Sequence, residues 1–240
     1  MQEEILRFSN VHTCIDEAAE FIYNKALGCI NEKGRFTMAL SGGATPKVLY
    51  ETLAKEPYIH RIPWDGTHLF WSDERFVSHD HPDSNYAMAY RTMISHVPIP
   101  EANVHPVPVS SESVDDAASK YERHLREFFS GKTPSPCFDL ILLGLGNDGH
   151  AASLYPGSPA LSQKDKWVDV VPKPGIAPFH PRITMTLPFI NNAGCVLFLV
   201  TGPKKRDIVE RIVGRFAGDE KIYPAAMIKP SGQLVWFLAT

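Results

Sequence analysis

The sequence predicts an α/β fold of three layers, a mainly parallel sheet with helices on both faces. Three observations predict it. Short apolar runs alternate with segments of helical periodicity. Runs such as Leu140 to Leu143 show no polar face, as strands covered on both sides require. Two of the runs end in glycine-rich turns, SGGATP from Ser41 and GLGNDGH from Gly144, and open α/β sheets bind ligands at the carboxyl ends of their strands.

Each element has its own signal. Thr13 and Asp16 resemble a helix start, and Ala18, Ala19, Phe21, Ile22, Ala26, Leu27 and Ile30 follow at helical spacing, with Gly34 as the stop. Phe36 to Leu40 is a short buried strand. After its turn, Pro46 stands where a first-turn proline is tolerated, and Val48, Leu49 and Leu53 continue a helix. His68 to Trp71 is the next strand and ends in SDERFV. Ser84 to Ser95 is a helix with Tyr86, Ala89, Tyr90, Met93 and Ile94 inward. Val97 to Val109 is proline-rich and irregular, and Val114 to Phe129 is an amphipathic helix. After the loop SGKTPSP and the Leu140 strand, Trp167 to Val171, Ile183 to Thr186 and Val196 to Val200 are strands. Lys204 to Phe216 is a helix, and Leu234 to Leu238 closes the chain as a strand. No repeat or low-complexity linker interrupts this order, so residues 1–240 are expected to form a single domain.

The composition narrows the function. The chain has 240 residues, 44% of them hydrophobic and 21% charged, with a net charge of −3. That balance is ordinary for a globular protein and offers no basic field for nucleic acid. No apolar run approaches the roughly 20 residues of a membrane span, and the acidic start MQEEILRFSN has no secretory apolar region. Cys14, Cys29, Cys137 and Cys195 are scattered and suggest a reducing compartment. The expectation is a cytoplasmic protein with no nucleic-acid or membrane partner. No motif marks a subunit interface, and a monomer is favoured.

Four segments carry chemistry. Ser41, Gly42, Gly43 and Thr45 lie between a strand and a helix. There backbone N–H groups, two hydroxyls and the helix dipole can cradle a phosphate; a plain βα turn that needs glycine gives the same pattern. Asp73 and Arg75 follow the His68 strand. Asp73 can accept sugar hydroxyls or orient a base, and Arg75 can bind an anion bidentately; a solvated loop with a local ion pair fits the spacing slightly better. Asp148 and His150 stand two residues apart in the GLGNDGH turn, an imidazole with a carboxylate able to orient it; a loop histidine bonded to a carbonyl is the bland alternative. Zinc spacing of the H-E-x-x-H kind is absent, so no metal is expected. Arg182 and Lys205 each place a cation near a strand end. Lys205 opens a helix, where a cation suits only a site that also holds an anion. On sequence alone, ordinary surface charge is the simpler account of both.

Taken in order, SGGATP, WSDERFV, HPDSNY, GLGNDGHAASLYPGS, PRITMTLP, TGPKK and YPAA resemble the 6-phosphogluconolactonases, a family related to glucosamine-6-phosphate deaminase and sharing its fold. The resemblance runs from Phe36 to Ala226. It implies a Rossmann-like, NagB-like sheet and hydrolysis of a sugar-phosphate lactone, 6-phosphogluconolactone, without metal or organic cofactor. It also implies that His150 is a general base, that Asp148 holds the imidazole, and that Asp73 positions substrate or water. Ser41, Gly42, Gly43, Thr45, Arg75, Arg182 and Lys205 would supply the surface for phosphate and oxyanion. Two departures stand out: Ala44, where the cradle commonly has serine, and Ala151, where threonine often follows the histidine and where alanine would loosen the turn.

Two other functions are weighed against this. An amino-sugar-phosphate deaminase of the same fold carries a glutamate five residues after the histidine, and here that residue is Tyr155, a phenol and a poor substitute for a carboxylate. A non-catalytic sugar-phosphate sensor would usually add a DNA-binding segment, and the residues before Phe36 supply one helix.

Overall fold

A computed structural model describes residues 2–131, 137–175, 177–214 and 222–240. Six strands, β1 (Gln2–Arg7), β2 (Phe36–Leu40), β3 (Thr67–Trp71), β5 (Leu140–Leu143), β8 (Cys195–Thr201) and β9 (Gln233–Ala239), form one sheet in the order β1-β9-β8-β5-β2-β3. Every neighbouring pair in it is parallel. The middle strands are buried from end to end, as their unbroken apolar runs require.

The order places the ligand crevice. From β2 the chain goes on to β3 on one side, and from β5 it goes on to β8 on the other. β2 and β5 are therefore neighbours whose connections leave in opposite directions, and the gap at their carboxyl ends is the topological switch point of the sheet. Both glycine-rich turns open there.

Three strands stand apart. β4 (Asp73–Arg75), β6 (Val168–Val171) and β7 (Arg182–Met185) form an antiparallel sheet in the order β4-β7-β6. The segments Trp167 to Val171 and Ile183 to Thr186 are strands as expected, but they belong to this second sheet and not to the parallel one. β1 and β4 were not expected. β1 is a charged, mostly exposed edge strand and lacks the apolar run used to find the others, while β4 is three residues of charge.

Of the helices, α1 (Val11–Lys33) starts two residues earlier than Thr13, because the Asn10 side chain accepts from Thr13 N at 2.9 Å. Its buried face is Cys14, Ile15, Ala18, Ala19, Ile22 and Ala26, while Leu27 is exposed. α2 (Ala44–Leu53) buries Leu49, Tyr50 and Leu53, and Val48 faces out. α3 (Tyr58–Arg61) is a single turn. α4 (Asn85–Ala89) passes into a π turn over Tyr90–Ile94. Tyr90 opens the wider turn and is exposed, and Ala87 in the preceding α4 turn is buried. α5 (Val114–Phe129) matches its expected bounds; Ser113 caps it by accepting from Asp116 N at 3.1 Å. After α6 (Leu187–Asn191), a 3₁₀ turn over Pro203–Lys205 precedes α7 (Arg206–Val213). The expected end of that last helix, Phe216, lies outside the described residues, as does most of the SGKTPSP loop. α1 and α2 cover part of the parallel sheet, and α5 packs on β6 and β7. An aromatic cluster of Phe70, Phe129, Phe138 and Phe189 fills the space beneath α5.

One polar chain crosses this packing. His105 bonds His68 Nδ1 at 3.2 Å and His124 Nε2 at 2.9 Å, and its ring stacks on Phe70 at 4.3 Å. Burial first, then the neighbouring imidazoles, pushes its pKa from 6.5 down to about 3. The unfolded chain thus binds this proton at higher pH than the fold does, so the stabilisation is complete above about pH 6.5 and falls away as pH drops toward 3. Urea midpoints should fall with pH across this window, and His105→Leu, with no proton to gain there, should show a shallower slope. A slope equal to wild type would remove His105 from the account of acid sensitivity.

Candidate active site

The crevice between β2 and β5 is a polar cleft of about 320 Å³, a size suited to one small ligand. Ser41, Gly42, Gly43, Asp73, Arg75, His150, Arg182 and Lys205 all line it, together with Asn85, Gly146 and Tyr155.

On the β2 side, α2 aims its N-terminus at the cleft, and no side chain caps its first amides. Tyr50 anchors the turn: its hydroxyl accepts from Ser41 N at 3.0 Å and donates to Ser41 O at 2.8 Å. Gly42 is required by close approach, because a Cβ there would collide with the Asn85 side chain. Thr45 departs from expectation. Its hydroxyl shares a 2.6 Å hydrogen bond with Thr201, tying α2 to the end of β8, and it does not line the cleft.

On the β5 side, the GLGNDGH turn closes on itself. Gly146 N donates to His150 O at 2.8 Å, Gly149 N to Gly146 O at 3.1 Å, and Ala225 N to Gly149 O at 2.9 Å. A Cβ on Gly146 would overlap the His150 ring. Ala151, the second departure, is buried and bridges Leu154. Asp148 Oδ1 lies 2.5 Å from His150 Nδ1 and also accepts from His150 N. Burial works against the Asp148 carboxylate, but its bonds to His150 outweigh it and hold the carboxyl below its ordinary range. A carboxylate accepting at Nδ1 fixes the proton on that nitrogen and leaves the lone pair on Nε2. Asp148 sits behind the histidine and does not line the cleft. Tyr155 packs its ring 4.6 Å from the His150 ring.

The antiparallel sheet supplies the cations. Arg75 on β4 and Arg182 on β7 are cross-strand partners, an arrangement that like charges disfavour. Arg182 is almost wholly buried, against the expectation of surface charge. Burial, then the charge of Arg75, lowers its pKa. Each guanidinium spends one donor on a carbonyl, Arg75 Nη1 on Asp83 and Arg182 Nη2 on Pro178. Each keeps a buried Nε–H with no partner. Lys205 is half-buried, donates to Leu145 O, and has its pKa lowered by burial. Two guanidiniums, an ammonium and an open helix N-terminus around one cleft form a site for an anion.

Asp73 is in the cleft, yet its carboxylate is engaged, by Ser153 Oγ at 2.7 Å and by Asn85 Nδ2 at 3.4 Å. It braces the floor and does not stand free as a base. Two residues escaped the sequence reading. Glu74 is buried and accepts from Arg75 N, Asn85 N, Tyr86 N and Ser84 Oγ at 2.7–3.1 Å. Burial raises its pKa against the pull of those amides. It thereby fixes Asn85, whose side chain spans Asp73 and Gly42. The only local signal was Ser84 as a helix cap in HPDSNY.

Fold and site together define an α/β protein built to hold a small anionic molecule beside an Asp-oriented histidine. The model of the glucosamine-6-phosphate isomerases/6-phosphogluconolactonase family matches residues 9–236. A 6-phosphogluconolactonase of Synechocystis sp. is 45% identical, with 95% of this chain and 92% of that one covered. One from Nostoc sp. is 44% identical, over 93% and 90%. The crystal structure of 6-phosphogluconolactonase from Thermotoga maritima superposes with a TM-score of 0.85 at 31% identity, covering both chains completely. The chain belongs to the glucosamine-6-phosphate isomerase/6-phosphogluconolactonase family. Among the described residues, no helix is long and apolar enough to cross a membrane.

Glu74→Gln puts an NH₂ group among four donors in a buried site. It should cost about 3 kcal/mol in urea unfolding. A loss below about 1 kcal/mol would mean that the loop over Arg75–Tyr86 is held by other contacts.

Proposed function

We propose that the protein hydrolyses 6-phospho-D-glucono-1,5-lactone to 6-phospho-D-gluconate, the second step of the oxidative pentose phosphate pathway. One observation carries the reading: His150, its proton fixed on Nδ1 by Asp148, lines a cleft that also contains two incompletely bonded guanidiniums. The relatives named above, 44% and 45% identical over nearly the whole chain, support the same substrate.

The chemistry follows from these groups. His150 Nε2 takes a proton from water as the oxygen attacks the lactone carbonyl. The carbonyl oxygen becomes an oxyanion. The ring C–O bond then breaks, and the ring oxygen leaves as the sugar hydroxyl with the proton returned by the imidazolium. Ionisation of the new acid releases one proton to solvent. Asp148 keeps the base oriented and stabilises its charged form. Arg75, Arg182, Lys205 and the α2 N-terminus hold the phosphate and the developing oxyanion. Asp73 and Asn85 brace the floor. A lactone is an activated ester, so positioning, one base and electrostatic stabilisation are sufficient. Tyr155, packed on the base, supplies no carboxylate for the proton transfers on carbon that a deaminase needs.

Acid release from fresh lactone, corrected for spontaneous hydrolysis, tests the proposal. Wild type should accelerate it, and His150→Ala should lower kcat by about 10³-fold or more while still binding 6-phosphogluconate. No acceleration by wild type, or ammonia release from glucosamine 6-phosphate, would overturn the assignment.

Arg182→Ala tests the anion surface separately. It should raise KM at least as much as it lowers kcat if the guanidinium holds the phosphate of the ground state. A fall in kcat at constant KM would place Arg182 on the oxyanion instead.

A further inference from the structure

Beyond the cleft, His81, Asp83 and His180 bring two imidazoles and a carboxylate together, with one ligand atom from each lying within 4.8 Å of the others. His180 Nε2 is 3.0 Å from Asp83 Oδ2, and His81 Nδ1 is 4.0 Å from the same oxygen. A tetrahedral ion with bonds near 2.0–2.2 Å needs donors about 3.3–3.6 Å apart, between those two values. His81 Nδ1 accepts the Asp83 N–H at 3.0 Å, so that nitrogen is unprotonated, and an ion would take over the lone pair that this hydrogen bond engages. The three side chains keep 35–39% of their surface exposed, which leaves water room to complete the coordination.

We propose that His81, Asp83 and His180 form a binding site for a divalent transition ion of the Zn²⁺ class, with water as its fourth ligand. The donor set of two imidazoles and one carboxylate suits zinc and not the hard, all-oxygen ions. On binding, a neutral His180 shifts its proton from Nε2 to Nδ1, or an imidazolium releases its Nε2 proton to solvent, and the Nε2 lone pair goes to the ion. The site joins two segments far apart in sequence. Asp83 O accepts from Arg75, and His180 lies two residues before Arg182, where Phe76 N also bonds Pro181 O at 2.8 Å. An ion here would staple together the two loops that flank the arginine pair. Such a site does not depend on the substrate assigned above.

The test is calorimetry with Zn²⁺ and the visible absorption of added Co²⁺, on the whole chain stripped of metal. Wild type should bind one equivalent, with a tetrahedral Co²⁺ spectrum and a raised thermal midpoint. His180→Ala and Asp83→Asn should each weaken binding at least about tenfold and abolish the midpoint shift, with unchanged unfolding in chelator. His150→Ala and His105→Leu should bind as wild type does. Absence of saturable binding would overturn the site. So would binding kept in His180→Ala and Asp83→Asn but lost in His150→Ala or His105→Leu, which would assign the ion to the cleft or to the histidine chain.

Discussion

The parting of β2 and β5 is the constraint on which the rest of this molecule depends. The two strands share only the register pairs Met38↔Leu140 and Ala39↔Ile141, whereas β8 and β9 are paired over seven residues. Beyond Ala39 and Ile141 the backbones are free to diverge. The turn after each strand is then decided by its own sequence. After β2, two glycines let the chain turn tightly under Asn85 and present a helix N-terminus. After β5, the Gly146 turn folds His150 back over Asp148. Neither turn makes a site alone, and the sheet order alone brings them face to face.

The second constraint is electrostatic. The chain carries a net charge of −3, yet its cleft gathers Arg75, Arg182 and Lys205 in partly desolvated positions. Buried like charges oppose folding unless something compensates. The compensation is spread over the surroundings: carbonyls of Asp83, Pro178 and Leu145 each take one N–H, and the buried Glu74 side chain accepts from Arg75 N. It remains incomplete, as the unpartnered Nε–H groups show. That residue of unsatisfied positive charge is a standing preference for an anion, and the fold tolerates it because the hydrophobic core is large.

Legibility in the sequence followed the kind of force at work. β2, β5 and α5 were readable because burial on both sheet faces, or on one helix face, leaves a periodic signature. β1 and β4 were not, since an edge strand and a three-residue ladder are made by pairing and carry charge. The π turn after α4 broke the 3.6-residue spacing that would have placed Tyr90 inside. Among site residues, those in glycine-rich turns at strand ends were legible from the turns themselves. Arg182 and Lys205 read as surface charge because their burial is tertiary. Thr45 was misplaced because its partner, Thr201, is 156 positions away. Glu74 and Asn85 had only the Ser84 cap as a local signal: a glutamate that accepts from its neighbour Arg75 N and from three donors 10–12 positions on looks the same in sequence as a solvated one.

The division of labour among the acids explains why one histidine can serve the proposed reaction. Among the described residues, three carboxylates lie in or beside the cleft, Asp73, Glu74 and Asp148, and each is engaged in hydrogen bonds. Asp148 is spent on the Nδ1 proton, Asp73 on Ser153 and Asn85, and Glu74 on backbone amides. The oriented base that such a site offers is His150 Nε2. Hydrolysis of an activated ester asks for one proton to be taken from water and handed to the leaving oxygen, and a base of fixed tautomer between solvent and ring can do both. Isomerisation or deamination at carbon asks for a further carboxylate to move protons. Here the position that could carry one holds Tyr155, buried against the imidazole. The same packing that steadies the base therefore also restricts the chemistry it can perform.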